Sequence, residues 1–229
     1  QTKLTITHFV IVTIPVVAIF LLFFTKLYDM ILSDTIRNEQ EASFETAPLI
    51  ETVISDILAA HTQLTDHAFY EKLINPARTE SFEELIHSEE AAGFKRKMQS
   101  LSAGDLIGDI RLYLDVPDSD PYFSDFSVRK ITEPLERTRR TYWYGIFAGT
   151  PTANDLFCPA FYLSTYEIQN YGDIAYISKS RAIYKGEWIT VYLAIYFSKE
   201  QLNDILKSSL NSDNSVAYII NNRDSMVVS

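Results

Sequence analysis

The period of the hydrophobic positions changes several times along the chain, and each change marks an element. Residues 4–25, between Lys3 and Lys26, carry no ionisable group except His8, and the apolar run over 9–24 is broken only by Thr13 and Pro15. As a helix, these 22 residues reach about 33 Å, enough to cross a hydrocarbon core of about 30 Å. A cleaved signal peptide would have a shorter apolar region and a small-x-small site, whereas Phe23-Phe24-Thr25-Lys26-Leu27-Tyr28 follows here. Residues 1–31 are therefore expected to be a transmembrane helix with its flanks. The helical pattern continues, with Ala47, Ile50, Ile54, Ile57, Leu64 and Ala68 along one stripe that Val53 and Leu58 widen. Pro48 predicts a kink or the start of a second helix, and Asn75-Pro76 an end. Residues 81–101 predict another helix with Phe82, Leu85, Ile86, Phe94 and Met98 as its apolar side, closed by Ser102-Ala103-Gly104.

From Ile107 the period becomes two, with Ile110, Leu112 and Leu114 alternating with Arg111, Tyr113 and Asp115. This half-buried strand ends at the turn-rich Pro117-Asp118-Ser119-Asp120-Pro121. A short helix is predicted over 128–139, and short extended pieces over 142–147 and 161–164. The clearest signal is a hairpin of 174–183 and 188–197, joined by Tyr184-Lys185-Gly186-Glu187. In its second strand, Ile189, Val191, Leu193, Ile195 and Phe197 form an aliphatic and phenyl face opposite Trp188, Thr190, Tyr192, Ala194 and Tyr196. Both faces are thus covered, and the hydroxyl-bearing one suits a pocket wall, because each polar tip needs a partner when buried. Ser198 caps a helix through Leu210, with Glu200 and Gln201 in its first turn. A strand over 216–220, a turn at Asn221-Asn222 and a strand over 226–228 complete an α+β pattern, a long helix on an antiparallel sheet.

The composition, 47% apolar and 22% charged with 7 Gly and 8 Pro, is that of an ordinary packed domain. The formal charge of −10 arises entirely within residues 33–94, where 13 Asp and Glu face only Arg37, Lys72 and Arg78. That field opposes nucleic acid, and no nucleic-acid partner is expected. Cys158 stands alone, so no internal disulfide forms, and there is no N-x-[ST] acceptor. Both features fit a bacterial surface, with the N-terminus inside, the acidic bulk outside, and Gln1 starting a fragment.

Catalytic chemistry has little support in the sequence. The glycines form neither G-x-G, G-x-x-x-x-G-K nor G-x-S-x-G. His61 and His67, six apart on one helix, are separated by about 240° around its axis, unsuited to a shared metal, and read as surface histidines. Cys158 reads as a small buried hydrophobe. Asp115, Asp118, Asp120 and Asp125 read as turn acids, since the sharp-turn glycine of a calcium loop is missing. No metal, cofactor or catalytic residue is expected. The candidate ligand surface is Arg111, Tyr113, Trp143, Tyr144, Tyr176, Ser178, Tyr192 and Tyr196, with Arg111 either pairing an anionic ligand group or bridging to Asp115 or a neighbouring helix.

Residues 30–229 resemble an extracytoplasmic double Cache domain. The family's PAS-like membrane-distal module ends in a strand, a short helix and a hairpin, and the corresponding stretches are 187–198, 201–209 and 218–228. The resemblance implies a membrane-distal module over 32–210 and the first hairpin of an incomplete second module over 211–229. Amino-acid-sensing members share an Arg-x-Trp-Tyr element and a later Asp. Here Trp143-Tyr144 has Thr141 two before the Trp, with Arg139 and Arg140 upstream, and Tyr196 stands at the Asp position. A neutral polar or sugar-like ligand suits this set as well as none. The element order is most similar to sensor histidine kinases of Gram-positive bacteria. The implied partners are a small polar ligand or a ligand-loaded binding protein, the membrane, and a second copy paired through the long helix. A chemotaxis-type receptor or a membrane-tethered binding or adhesion protein is the alternative, and a membrane-anchored hydrolase a distant third.

Overall fold

In the computed structural model the described residues are 2–75, 81–117, 119–120, 123, 129, 131–135, 139–208, 210, 216–220 and 226–228. Helix α1, Thr2–Thr65, is continuous over 64 residues, a length of about 96 Å. No new helix starts at Pro48. Proline removes a single backbone hydrogen bond there, and the Pro48 carbonyl still accepts from Thr52 Oγ1 at 2.8 Å. The buried stripe of α1 is Val53, Ile57, Ala60 and Leu64, spaced by fours and threes. Ala47, Leu58 and Ala68, expected on that stripe, are exposed. The first break falls at Asp66 and His67, where the His67 ring accepts from the Phe69 amide at 3.2 Å and caps α2, Ala68–Ile74.

The single helix expected over 81–101 is two, because Ser81 and Ser88 each act as an N-cap. Ser81 forms a capping box with Glu84 at the start of α3, Phe82–Ile86. Ser88 Oγ accepts from the Ala91 amide at 3.2 Å and opens α4, Glu89–Leu101.

Five strands follow: β1 Ile107–Leu114, β2 Glu133–Pro134, β3 Asp155–Cys158, β4 Ile174–Tyr184 and β5 Glu187–Phe197. Their order is β2-β1-β5-β4-β3. β2 runs parallel to β1 and the remaining pairs are antiparallel, so the sheet is mixed where an antiparallel one was expected. The β4–β5 hairpin has the predicted place, and its turn, Lys185-Gly186, has φ of 50° and 83°. Two successive left-handed residues match the twist of a two-residue hairpin, and glycine takes the second at no steric cost.

Between the sheet segments the sequence pattern misleads. Within the predicted helix over 128–139, Glu133 and Pro134 are extended and pair with Tyr113 and Leu114; residues 128, 130 and 136–138 lie outside the described set. The extended piece predicted over 142–147 is helix α5, Tyr142–Gly149, whose apolar residues surround the axis and give no period. Over 161–164 the chain is partly a 3-10 turn, Ala160–Tyr162. Helix α6, Thr165–Asn170, and strand β3 were not anticipated. Helix α7, Glu200–Ser208, follows Ser198, whose Oγ accepts from the Glu200 amide at 3.1 Å. β6, Ile219–Ile220, and β7, Met226–Val228, form an antiparallel pair, with the expected turn at Asn221-Asn222 outside the described residues.

The sheet separates two cores. On one face, Ile110, Leu112, Leu114, Val191, Leu193, Ile195 and Phe197 pack against α1, α2, α4 and α7. Each fully buried aliphatic side chain contributes about 1.5–3 kcal/mol. On the other, Tyr113, Tyr192, Ala194 and Tyr196 join Trp143, Phe147, Leu156, Cys158, Tyr162 and Tyr171.

Candidate functional site

The register decides which candidate residues meet. Tyr113 stands opposite Tyr192, and Arg111 opposite Ala194, on adjacent strands. Strand β4 places Tyr176 opposite Ile195 and Ser178 opposite Leu193, on the aliphatic face that α1 covers. Arg111, Tyr113, Trp143, Tyr144, Tyr192 and Tyr196 thus lie on one side of the sheet, and Tyr176 and Ser178 on the other.

The aromatic side is closed by its own hydrogen bonds. Tyr113 and Tyr196 are 1% and 0% exposed, and their hydroxyls lie 3.0 Å apart. The Tyr196 hydroxyl donates to Glu167 Oε1 at 2.6 Å, and the Trp143 indole nitrogen donates to the same oxygen at 3.1 Å. Glu167 Oε2 accepts from the Ser164 amide and hydroxyl, both at 2.7 Å. Glu167 is 1% exposed, and its four donors account for its burial. Burial pushes the Tyr196 hydroxyl well above its ordinary range, and the neighbouring Tyr113 and Glu167 add to it. Burial and then Glu167 do the same to Tyr113, so at neutral pH both remain protonated donors. Cys158, fully buried beneath them, has its thiol raised by burial and then by Glu167, the inert small hydrophobe expected.

Glu167 was not a candidate from the sequence. The signal available was the Ser164–Glu167 spacing, a capping box that the structure forms. That spacing accounts for the Ser164 bonds, but the Trp143 and Tyr196 bonds follow only from the convergence of α5, β5 and α6.

Arg111 is committed within the protein. Its guanidinium bonds Asp109 and Glu133, each at 2.5 Å, and lies over the Tyr171 ring at 4.3 Å from the centroid. Burial lowers the Arg111 pKa, but Glu133 and Asp109 outweigh it and hold the group above its ordinary range. Asp115 instead receives Arg139. A cavity of about 510 Å³ opens beside this cluster, lined among others by Lys95, Gln99, Asp109, Arg111, Arg129 and Glu133.

On the helix side, His61 Nε2 lies 2.7 Å from Ser178 Oγ, and Asp155 stands beside Ser178 in register. By residue type these could be a nucleophile, a base and an orienting acid. Ser178, however, sits inside a strand paired on both sides, under the seam that α1 covers, where a substrate carbonyl has no approach to its Oγ. His67 caps α2 and packs on Phe94 at 5.4 Å between ring centroids. Neither histidine is the plain surface residue anticipated.

The chain matches no protein-family model, no curated protein and no solved structure.

Proposed function

We propose that this chain is the extracytoplasmic sensory region of a membrane-bound receptor, a two-component sensor histidine kinase, in which a double Cache-like module takes a small polar ligand or a ligand-loaded binding protein. The observation that carries the reading is α1 itself. One helix holds a long, apolar, solvent-exposed stretch at its start and a stripe buried against the sheet at its end. Ile19, Phe20, Leu21, Leu22, Phe23 and Phe24 are each at least 59% exposed, a surface that is unfavourable in water and suited to lipid. A rigid element of this kind carries a displacement at the sheet to the bilayer without an intervening joint. In a receptor, a second copy of α1 is the neighbour against which such a displacement is read.

Two measurements test it. With Cys158→Ser as background, Ser33→Cys and Ser208→Cys should both react with an impermeant maleimide in intact cells; protection of either site defeats the orientation. In the full-length protein, two alanines inserted after Asn38 turn the helix by about 200°. Autophosphorylation from ATP should then be displaced from its normal level while the domain stays folded. Unaltered phosphorylation, or none in any form of the full-length protein, defeats the kinase reading.

A further inference from the structure

Among the described residues, the buried stripe of α1 that covers the sheet, Val53, Ile57, Ala60 and Leu64, is apolar, and one titratable side chain stands within it. Ile57 and Leu64 on α1 are fully buried, and His61 lies one turn from each. Its Nε2 is 2.7 Å from Ser178 Oγ on β4, and its ring meets Tyr176 edge-on, with centroids 5.1 Å apart and planes at 88°. Two residues along the same strand, Ser180 Oγ accepts from the Tyr70 hydroxyl of α2 at 3.0 Å. The serines of β4 therefore fix how α1 and α2 sit on the sheet, and only the α1 contact contains a group that titrates near neutrality.

We propose that the His61–Ser178 contact is a proton-sensitive latch between the membrane-linked helix and the sheet, closed at neutral pH and released when the medium around the domain is acidified. The inference deepens the sensor reading by naming protons as an input, and rests on that reading only for its output.

The groups around His61 are Asp155 on β3, Asp66 in the break just after α1, and Tyr176 and Ser178 on β4. Burial disfavours the imidazolium most, the two aspartates favour it, and burial prevails, so the pKa lies below its ordinary 6.5. Tyr176 is pushed up to about 12, by burial and then Asp155, and stays neutral throughout. A lowered folded pKa means that the detached imidazole binds protons more readily than the seated one. The contact is therefore at full strength above pH 6.5 and weakens as pH falls from there toward the lowered folded value. Between those two values the fraction of open seam rises about tenfold for each pH unit.

Amide exchange on the full chain in lipid nanodiscs, corrected for intrinsic rates, tests this between about pH 7.5 and 5. Protection of residues 57–64 and 174–180 should fall with acidification in the native protein. His61→Gln, which keeps a donor at the same reach without titrating, should remove that step. His67→Asn, which retains the α2 cap, should leave it in place. Should His61→Gln not fold, Ser178→Ala, which removes the 2.7 Å contact, should show reduced protection of both segments already at about pH 7.5. An unchanged acid step in His61→Gln, undiminished protection at about pH 7.5 in Ser178→Ala, or a step abolished by His67→Asn overturns the latch. Phosphorylation by the full-length protein separates the two proposals: if exchange shifts as described while phosphorylation ignores pH, the latch stands and its coupling to output fails.

Discussion

Replacing Glu167 by alanine removes the acceptor of four hydrogen bonds in a fully enclosed site. The Tyr196 hydroxyl can turn to Tyr113, 3.0 Å away, and the Ser164 hydroxyl can rotate. The Trp143 indole N–H and the Ser164 amide have no such freedom. Each orphaned buried donor costs about 1–3 kcal/mol, and the Ser164 amide is the donor that the capping box loses. Allowing for partial collapse, Glu167→Ala should destabilise the domain by about 3–5 kcal/mol. For a domain of this size that lowers Tm by roughly 6–20 °C. Glu167→Gln keeps one acceptor for Trp143 and Tyr196 but turns an amide NH2 toward the Ser164 amide, so it should cost about 1–2 kcal/mol. Thermal unfolding followed by near-ultraviolet circular dichroism reports on Trp143 directly. Acetate added to the alanine variant, filling the vacated place, should raise its Tm and leave the native protein unchanged. A loss under about 1 kcal/mol for Glu167→Ala, or equal losses for Ala and Gln, would refute the view that this carboxylate organises the aromatic core.

Three further outcomes follow from other contacts. A Cβ on Gly108 would stand 2.3 Å from the Tyr171 carbonyl oxygen, so Gly108→Ala should cost about 2–3 kcal/mol in denaturant unfolding; a change within about 0.5 kcal/mol would show that the backbone yields there. Glu90 is held down to about 2, chiefly by its hydrogen bond from Lys72, so the tie between α2 and α4 is present above the ordinary 4.5 and lost as pH falls toward about 2. Glu90→Gln should flatten that part of the acid unfolding curve, and an unchanged acid limb would remove the tie from the account. Single cysteines at Ile36, Gln40 and Ser43 in a Cys158→Ser background should cross-link between copies in membranes with a helical period, since Ile36 and Phe44 are 50% and 79% exposed on α1; uniform or absent cross-linking would sink the paired helix.

What the sequence disclosed was what periodicity can encode. The β4–β5 hairpin and β1 alternate cleanly, and their bounds lie within two residues of the expectation. Helix α5 could not be read because Tyr142-Trp143-Tyr144-Gly145-Ile146-Phe147 is apolar at nearly every position, and a strand and a buried helix then look alike. β3 is four residues long, too short to show a period. Helix breaks at Asp66–His67 and His87–Ser88 depend on side-chain caps, which compete locally with continuation of the helix. The placing of Tyr176 and Ser178 was legible in principle: pairing Ile183 with Trp188 across the turn already sets Tyr176 opposite Ile195 and Ser178 opposite Leu193. Counting back through the hairpin puts both on the aliphatic face.

The aromatic face shows why hydroxyls in a strand pattern do not by themselves mark a pocket. A buried tyrosine requires a partner, but the partner can be another tyrosine or a carboxylate supplied from elsewhere in the fold. Tyr113, Tyr196, Trp143 and Glu167 satisfy one another in that way, and the need for an external polar ligand at that spot disappears. Arg111 has likewise found two carboxylates. A ligand reaching it must replace an existing ion pair, and so gains only the difference between two charge-assisted contacts. A ligand entering beside Arg111 therefore has to draw its affinity from the walls of the neighbouring cavity, where Lys95 and Gln99 of α4 stand. Because α4 also packs against α1, occupation of that cavity would bear on the same helix that the receptor reading requires to move.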